Sequence, residues 1–186
     1  DELNVGLQPT MEGDFATAAV FVADHLENGA GYAMELSSPD RVVAILTAIA
    51  DDLGAKWADE EHVKRCLSSC PDCLRSYDNR WIHALLDWRL ALDVADLTLG
   101  RPLSATRWSS ATEGGLSRLI ELSSVSALSV RRAEHAGIPV LHGAAKALLV
   151  NHPLELRRGM RSEQQMKAIT DLQNEGMSVE HTDFRE

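Results

Sequence analysis

No apolar run in this 186-residue chain approaches the ~20 residues that a bilayer-spanning helix requires, so no membrane partner is expected. Basic charge is scarce as well. The 18 lysines and arginines are outnumbered by 28 acidic residues, giving a net charge of −10 and a pI near 5.1. A free-standing nucleic-acid binder is usually basic, so any contact with phosphates must come from a local patch. The sequence G-x-x-x-x-G-K-[ST] is absent, which argues against ATPase chemistry in this chain. Cysteine is limited to three residues. An odd number argues against a pure disulfide framework and fits a reducing cytoplasm, with thiolates kept for metal. No internal repeat or low-complexity tract is apparent. The chain starts at Asp1 without a methionine or a signal-peptide pattern, as expected of a fragment or a processed chain. Its length allows one domain with a sizeable core, or one and a half small ones.

All three cysteines lie in one short stretch, His62 to Arg80, spaced C-x3-C-x2-C with a histidine four residues ahead of the first. Cys70-Pro71-Asp72-Cys73 reads as a knuckle-type turn, because proline fixes φ and aspartate favours turns. Such a turn lets two thiolates converge on one ion. Tetrahedral zinc takes four N or S ligands, and Cys3His is one of its ordinary structural sets. His62, Cys66, Cys70 and Cys73 are the expected donors. If the segment from Glu60 to Cys66 is helical, His62 and Cys66 lie one turn apart on one face. His83 is the reserve fourth ligand. A redox C-x-x-C at Cys70 and Cys73 is the alternative, but nothing around it reads as thioredoxin-like.

The rest of the chain reads as mixed α/β. Residues 1–18 form an irregular lead-in with a short strand at Leu3–Leu7, and Ala18–Ala23 is a buried strand. Asn28-Gly29-Ala30-Gly31 is an incomplete phosphate-loop pattern, better read as a tight turn. Ser38-Pro39-Asp40 starts a helix, with an apolar face at Val42, Val43, Ile45, Leu46, Ile49, Ala50 and Leu53, that ends at Gly54. Lys56 to Arg65 is a second helical piece. Asp59-Glu60-Glu61-His62 spells a helicase D-E-x-H box, but it follows no strand and reads as a solvated helix face ending in a metal ligand. A continuous helix is expected over Arg80–Leu97, with Asp87, Arg89 and Asp93 needing partners because they fall in a buried helix. Residues 103–118 read as a loop anchored by Trp108, with helical spacing from Leu116 to Leu128. Ile138–Leu141 and Ala147–Val150 read as strands. Ser162-Glu163-Gln164-Gln165 is a capping box for a helix turning Met166, Ile169 and Leu172 inward, ended by Gly176. Met177–Phe184 alternates as a strand, completing a βαβ unit whose sheet Val20–Val22 could join. His142, Asn151, His152 and Asp183 fall at strand ends, where α/β sites lie, although turn and cap roles suit them better.

Glu27-Asn28-Gly29-Ala30-Gly31-Tyr32, Cys70 to Arg80, His83 and Leu86-Asp87-Trp88-Arg89-Leu90-Ala91-Leu92-Asp93 together resemble the MrfA zinc-binding (MZB) domain. The resemblance covers roughly residues 18–100. It implies a C-terminal module of superfamily 2 DEAD/DEAH-type helicases, or of helicase-associated proteins in anti-phage systems such as DISARM and Druantia. The family's zinc site has four cysteines. Cys66, Cys70 and Cys73 match the last three, while Lys64 stands where the first would fall, which makes His62 the natural substitute.

The expected architecture is a helical zinc-knuckle region packed on a small sheet with a βαβ unit. Residues 1–186 would form a single module, divided into a zinc-binding and helical part (18–100) and a C-terminal α/β part (101–186). The expected function is a non-catalytic, cytoplasmic zinc module that positions helicase domains or DNA in defence or repair. Arg75, Arg80 and Arg89 are the candidate contacts with nucleic acid or a partner, unless they pair with neighbouring aspartates. The alternative is a hydrolase- or nuclease-like use of the α/β segment, for which no complete set of carboxylates with lysine or histidine is visible.

Overall fold

The computed structural model describes residues 3–25, 31–125, 130–154 and 163–183. The fold is mixed α/β, with a two-stranded and a four-stranded sheet. It divides into two compact units, one of Asp1–Lys56 with Ala95–Arg101, the other of Trp57–Val94 with Pro102–Glu186. The cysteine segment thus belongs to the same unit as the C-terminal sheet.

In the first unit, β1 (Leu3–Glu12) and β2 (Phe15–Asp24) form an antiparallel hairpin. Ala18–Ala23 is therefore a strand, but neither a buried one nor part of the C-terminal sheet: Val20 is 65 % exposed. The reason is local pairing, since β1 runs the full length of β2 and supplies its ladder. The Phe21 ring lies over Gly6 directly opposite, where any Cβ would collide with it. Helix α1 (Tyr32–Glu35) follows, with the Ala33 N–H donating to Asp24 Oδ1 at 3.2 Å. Helix α2 (Pro39–Ala48) starts at Ser38 as expected. It does not stop at Gly54. A π-helical turn over Ile49–Leu53 widens it, and the chain continues as α3 (Gly54–Trp57). Asp51 in that turn pairs with Arg101 of the same unit at 2.5 Å. The remainder of the glycine pattern, residues 28–30, lies outside the described residues.

The second unit is built on the order β3-β4-β5-β6: Arg131–His135, Ile138–His142, Lys146–Asn151 and Ser178–Asp183. Strands β5 and β6 are parallel and joined through α7 (Glu163–Asn174), which is the expected βαβ unit. Strands β4 and β5 are covered on both faces, which is why they read as unbroken apolar runs. Val140, Ala147 and Leu149 pack with Ala168, Ile169 and Leu172 of α7. Leu141 and Val150 point the other way, against Leu116 of α6 (Ser109–Val125).

Three expectations here are corrected, and one strand is new. Residues 103–118 are not a loop: a 3-10 turn over Ala105–Trp108 leads into α6, where burial of Leu116 against the sheet overrides the low helix propensity of Gly114 and Gly115. Met166 is 51 % exposed and not inward, whereas Ile169 and Leu172 are. Strand β3 was not anticipated. The Arg80–Leu97 helix is broken at Leu86-Asp87 into a 3-10 turn (Arg80–Leu85) and α5 (Trp88–Thr98), because Asp87 caps α5 by accepting the Arg89 N–H at 2.8 Å. Gly176 does end its helix, at φ 80°, with the Met177 N–H reaching back to the Leu172 carbonyl at 3.0 Å. Ser162 of the capping box and Phe184 lie outside the described residues.

Truncating Leu172, which is fully buried between α7 and the sheet, is expected to cost about 2–5 kcal/mol in a denaturant titration. Met166→Ala, at an exposed position of the same helix, should change stability by less than about 0.5 kcal/mol.

Candidate metal centre

Helix α4 (Glu60–Arg65) is short, and its start is fixed by Asp59, whose Oδ1 accepts the Glu61 N–H at 3.0 Å. Glu60 and Glu61 face solvent, and Lys64 pairs with Glu60 at 2.7 Å on that side. The opposite side carries His62, one turn before Cys66. Cys66 leaves the helix in an extended conformation, its N–H still bonded to the His62 carbonyl at 2.8 Å. The chain then enters the knuckle. The Cys73 and Arg75 N–H groups both donate to the Cys70 carbonyl, at 3.1 and 3.0 Å, and the Cys70 N–H donates to Cys73 Sγ at 3.1 Å.

These turns bring His62, Cys66, Cys70 and Cys73 together, with their donor atoms all within 4.8 Å of one another. Cys66 Sγ and Cys73 Sγ are 3.8 Å apart, and Cys70 Sγ is 3.5 Å from His62 Nε2. A tetrahedral ion with Zn–S near 2.3 Å and Zn–N near 2.0 Å would separate two sulfurs by about 3.8 Å and a sulfur from the nitrogen by about 3.5 Å. These two pairs already stand at the separations that ligation requires. His62 Nδ1 lies 2.7 Å from the Trp57 carbonyl. A carbonyl only accepts, so Nδ1 carries the proton and Nε2 turns its lone pair toward the sulfurs. His83, the reserve ligand, is spent elsewhere, its Nε2 donating to Asn79 Oδ1 at 2.9 Å and the Ser76 carbonyl at 3.0 Å.

Electrostatics favours a cation at this point. Burial, together with hydrogen bonds to the Cys70 and Cys73 sulfurs, pushes the Cys66 thiol up to about 12. At Cys70 burial acts in the same direction, but the Asp72 N–H and the two neighbouring thiols hold it below the ordinary thiol value. Three sulfurs this close cannot all be thiolates unless a positive ion sits among them.

The knuckle is fastened to the start of α5. The Ser68 carbonyl accepts the Trp88 N–H at 2.9 Å, and the Leu67 carbonyl accepts Arg89 Nη1 at 2.6 Å. Trp88 meets the His62 ring edge-on at 5.5 Å. Arg89, 3 % exposed, lies over the Trp88 ring and pairs with Asp87 at 3.6 Å. One turn on, fully buried Asp93 is held by Arg107, by Trp108 Nε1 at 2.7 Å and by His152 Nε2 at 2.8 Å. Burial raises the Asp93 carboxyl, but these hydrogen bonds and the Arg107 charge outweigh it and keep the group ionised. The three charges flagged in the sequence thus have their partners, and Asp93 ties α5 to the residue that follows β5.

The other sequence candidates separate. Arg80 is exposed over the Tyr77 ring, and Arg75 is half-buried with its Nε donating to Ser69 Oγ at 2.9 Å. Arg89 is interior and is not a surface contact. His142 does not join Asn151, His152 and Asp183, because β4 runs antiparallel to β5 and places His142 opposite Ala147 at the other end of the sheet. Asn151 accepts from Gln165 Nε2 at 2.9 Å, and His152 Nδ1 accepts the Leu154 N–H at 3.1 Å. His142 instead meets His135, a contact that the sequence did not reveal because β3 itself was not recognised.

No protein-family model, curated protein or solved structure matches this chain. The described residues contain no helix long and apolar enough to cross a membrane.

Asp93→Ala leaves Arg107, the Trp108 indole and His152 without their shared acceptor. It is expected to cost about 3–5 kcal/mol by chemical denaturation. Because the folded carboxyl lies below its ordinary 3.8, the stability contributed by Asp93 is present above that pH and is lost as the pH falls through the lower folded value. A comparison of wild-type and Asp93→Asn unfolding between neutral and acid pH should show the difference between them shrinking toward low pH.

Proposed function

We propose that the chain is a non-catalytic module whose fold is held by a structural zinc ion bound to His62, Cys66, Cys70 and Cys73. The carrying observation is the set of four N and S donors within 4.8 Å of one another, two of the pairs at tetrahedral separation, with the His62 tautomer already correct. Thiolate with imidazole in tetrahedral array selects zinc among the common divalent ions. Four protein ligands leave no open position for water or substrate, so the ion serves the fold and not a reaction. What it would hold is the junction of α4, the knuckle and the start of α5, from which the Asp93 network continues to β5.

The resemblance to the MZB domain extends this reading. The module would be part of a cytoplasmic DNA helicase or helicase-associated protein, serving bacterial anti-phage defence or DNA repair, with helicase domains as its partner. Arg80, and to a lesser degree Arg75, are the basic groups near the knuckle available to a phosphate or an acidic partner. Two features count against hydrolase-like use of the α/β segment. Among its strand-end polar residues His142 lies at the other end of the sheet from Asn151, His152 and Asp183, and the His152 ring nitrogens are both engaged.

Elemental analysis of wild type and His62→Ala, after dialysis into metal-free buffer, tests the reading. About one zinc per chain is expected in the wild type. In the variant, zinc should be lost or weakly held, with a melting temperature lower by on the order of 10 °C. Zinc should also leave as the pH falls, because protons compete for the thiolates. Full zinc retention by the variant would remove His62 from the site, and wild type without zinc after chelator-free purification would overturn the proposal.

A further inference from the structure

Strands β3 and β4 meet in a two-residue hairpin turn at Ala136-Gly137, both at positive φ. His135 and His142 are on the same face of this hairpin, and their rings stack at 5.1 Å with an interplanar angle of 10°. Their Nε2 atoms are 3.0 Å apart. Glu175, directly after α7, brings a carboxylate oxygen within 4.8 Å of both. His142 is 3 % exposed, His135 is half-buried and Glu175 faces solvent. Two imidazole nitrogens therefore converge beside a carboxylate, with one side of the cluster open. The C-terminal carbonyls of α7 add partial negative charge next to it.

We propose that His135, His142 and Glu175 form a second metal site, an open one that takes a first-row transition dication through two imidazole nitrogens and a carboxylate. This donor set suits Zn2+, Co2+ or Ni2+ and disfavours Mg2+ and Ca2+, which prefer oxygen ligands. Three protein ligands leave at least one position for water or a small anion, in contrast to the closed cysteine site. The proposal does not rest on zinc at the cysteines.

Metal binding would have to change the hydrogen bonds of His142. Arg131, opposite His142 across the strand pair, has Nη2 at 3.2 Å from His142 Nδ1. Guanidinium only donates, so His142 Nδ1 is the acceptor and its proton sits on Nε2, shared with His135 Nε2. For His142 to ligate through Nε2, that proton must move to Nδ1 and Arg131 must swing away. Arg131 is exposed and has room to do so. Arg131 is thus a competitor of the ion, both by charge and by holding the wrong tautomer.

Titration of zinc-loaded protein with Co2+, followed by visible absorption and by cobalt per chain, tests this. The expected result is one added ion per chain whose spectrum lacks thiolate-to-metal charge transfer. It should be lost in both His135→Gln and Glu175→Gln, while zinc content and melting temperature stay at wild-type values. Arg131→Ala should bind the ion several-fold tighter. The proposal is overturned by the absence of a second ion, by its retention in either ligand variant, or by weaker binding in Arg131→Ala. Thiolate charge transfer, which reports on the cysteine cluster, separates failure here from failure of the structural-zinc reading.

Discussion

Three thiols and one imidazole nitrogen packed within 4.8 Å are the constraint on which the second unit turns. Without an ion, burial and, after it, the proximity of the sulfurs keep Cys66 protonated far above neutral pH. With a dication among them, the same proximity becomes ligation, and the energy of binding becomes energy of folding. A six-residue helix such as α4 is too short to persist alone. Asp59 and the knuckle hydrogen bonds shape the segment, but the proposed zinc is what would lock it.

From that point order passes along α5. Backbone carbonyls of the knuckle take the Trp88 N–H and the Arg89 guanidinium, and one turn later Asp93 gathers Arg107, Trp108 and His152. Buried charge of this kind is costly unless every member is paired. Its members come from α5, the 3-10 turn that leads into α6 and the residue that follows β5, so the network specifies how these pieces meet. The sheet contributes the apolar part, with β4 and β5 buried between α6 and α7.

The cluster of three cysteines and a histidine was legible because its signal is local: residues at turn and helix spacing need no distant partner to be recognised. The βαβ unit was legible for a similar reason, with apolar runs and helix boundaries marked by Gly176 and the Glu163 segment. What escaped depended on tertiary context. Arg131–His135 is too polar to announce a strand, and only its pairing with β4 makes it one. Asp87 interrupts a pattern that looks periodic through it, because its capping role competes with helix continuation. Gly114-Gly115 reads as loop until Leu116 is seen buried against the sheet. Ala18–Ala23 reads as core because an apolar run does not disclose its partner, here β1 in place of the C-terminal sheet.

X-ray absorption at the zinc edge, on protein carrying one zinc per chain, addresses the proposed centre most directly. Three sulfurs at about 2.3 Å and one nitrogen at about 2.0 Å are predicted. A shell dominated by nitrogen or oxygen, or one with fewer than three sulfurs, would contradict the Cys3His centre and with it the structural role assigned to the ion.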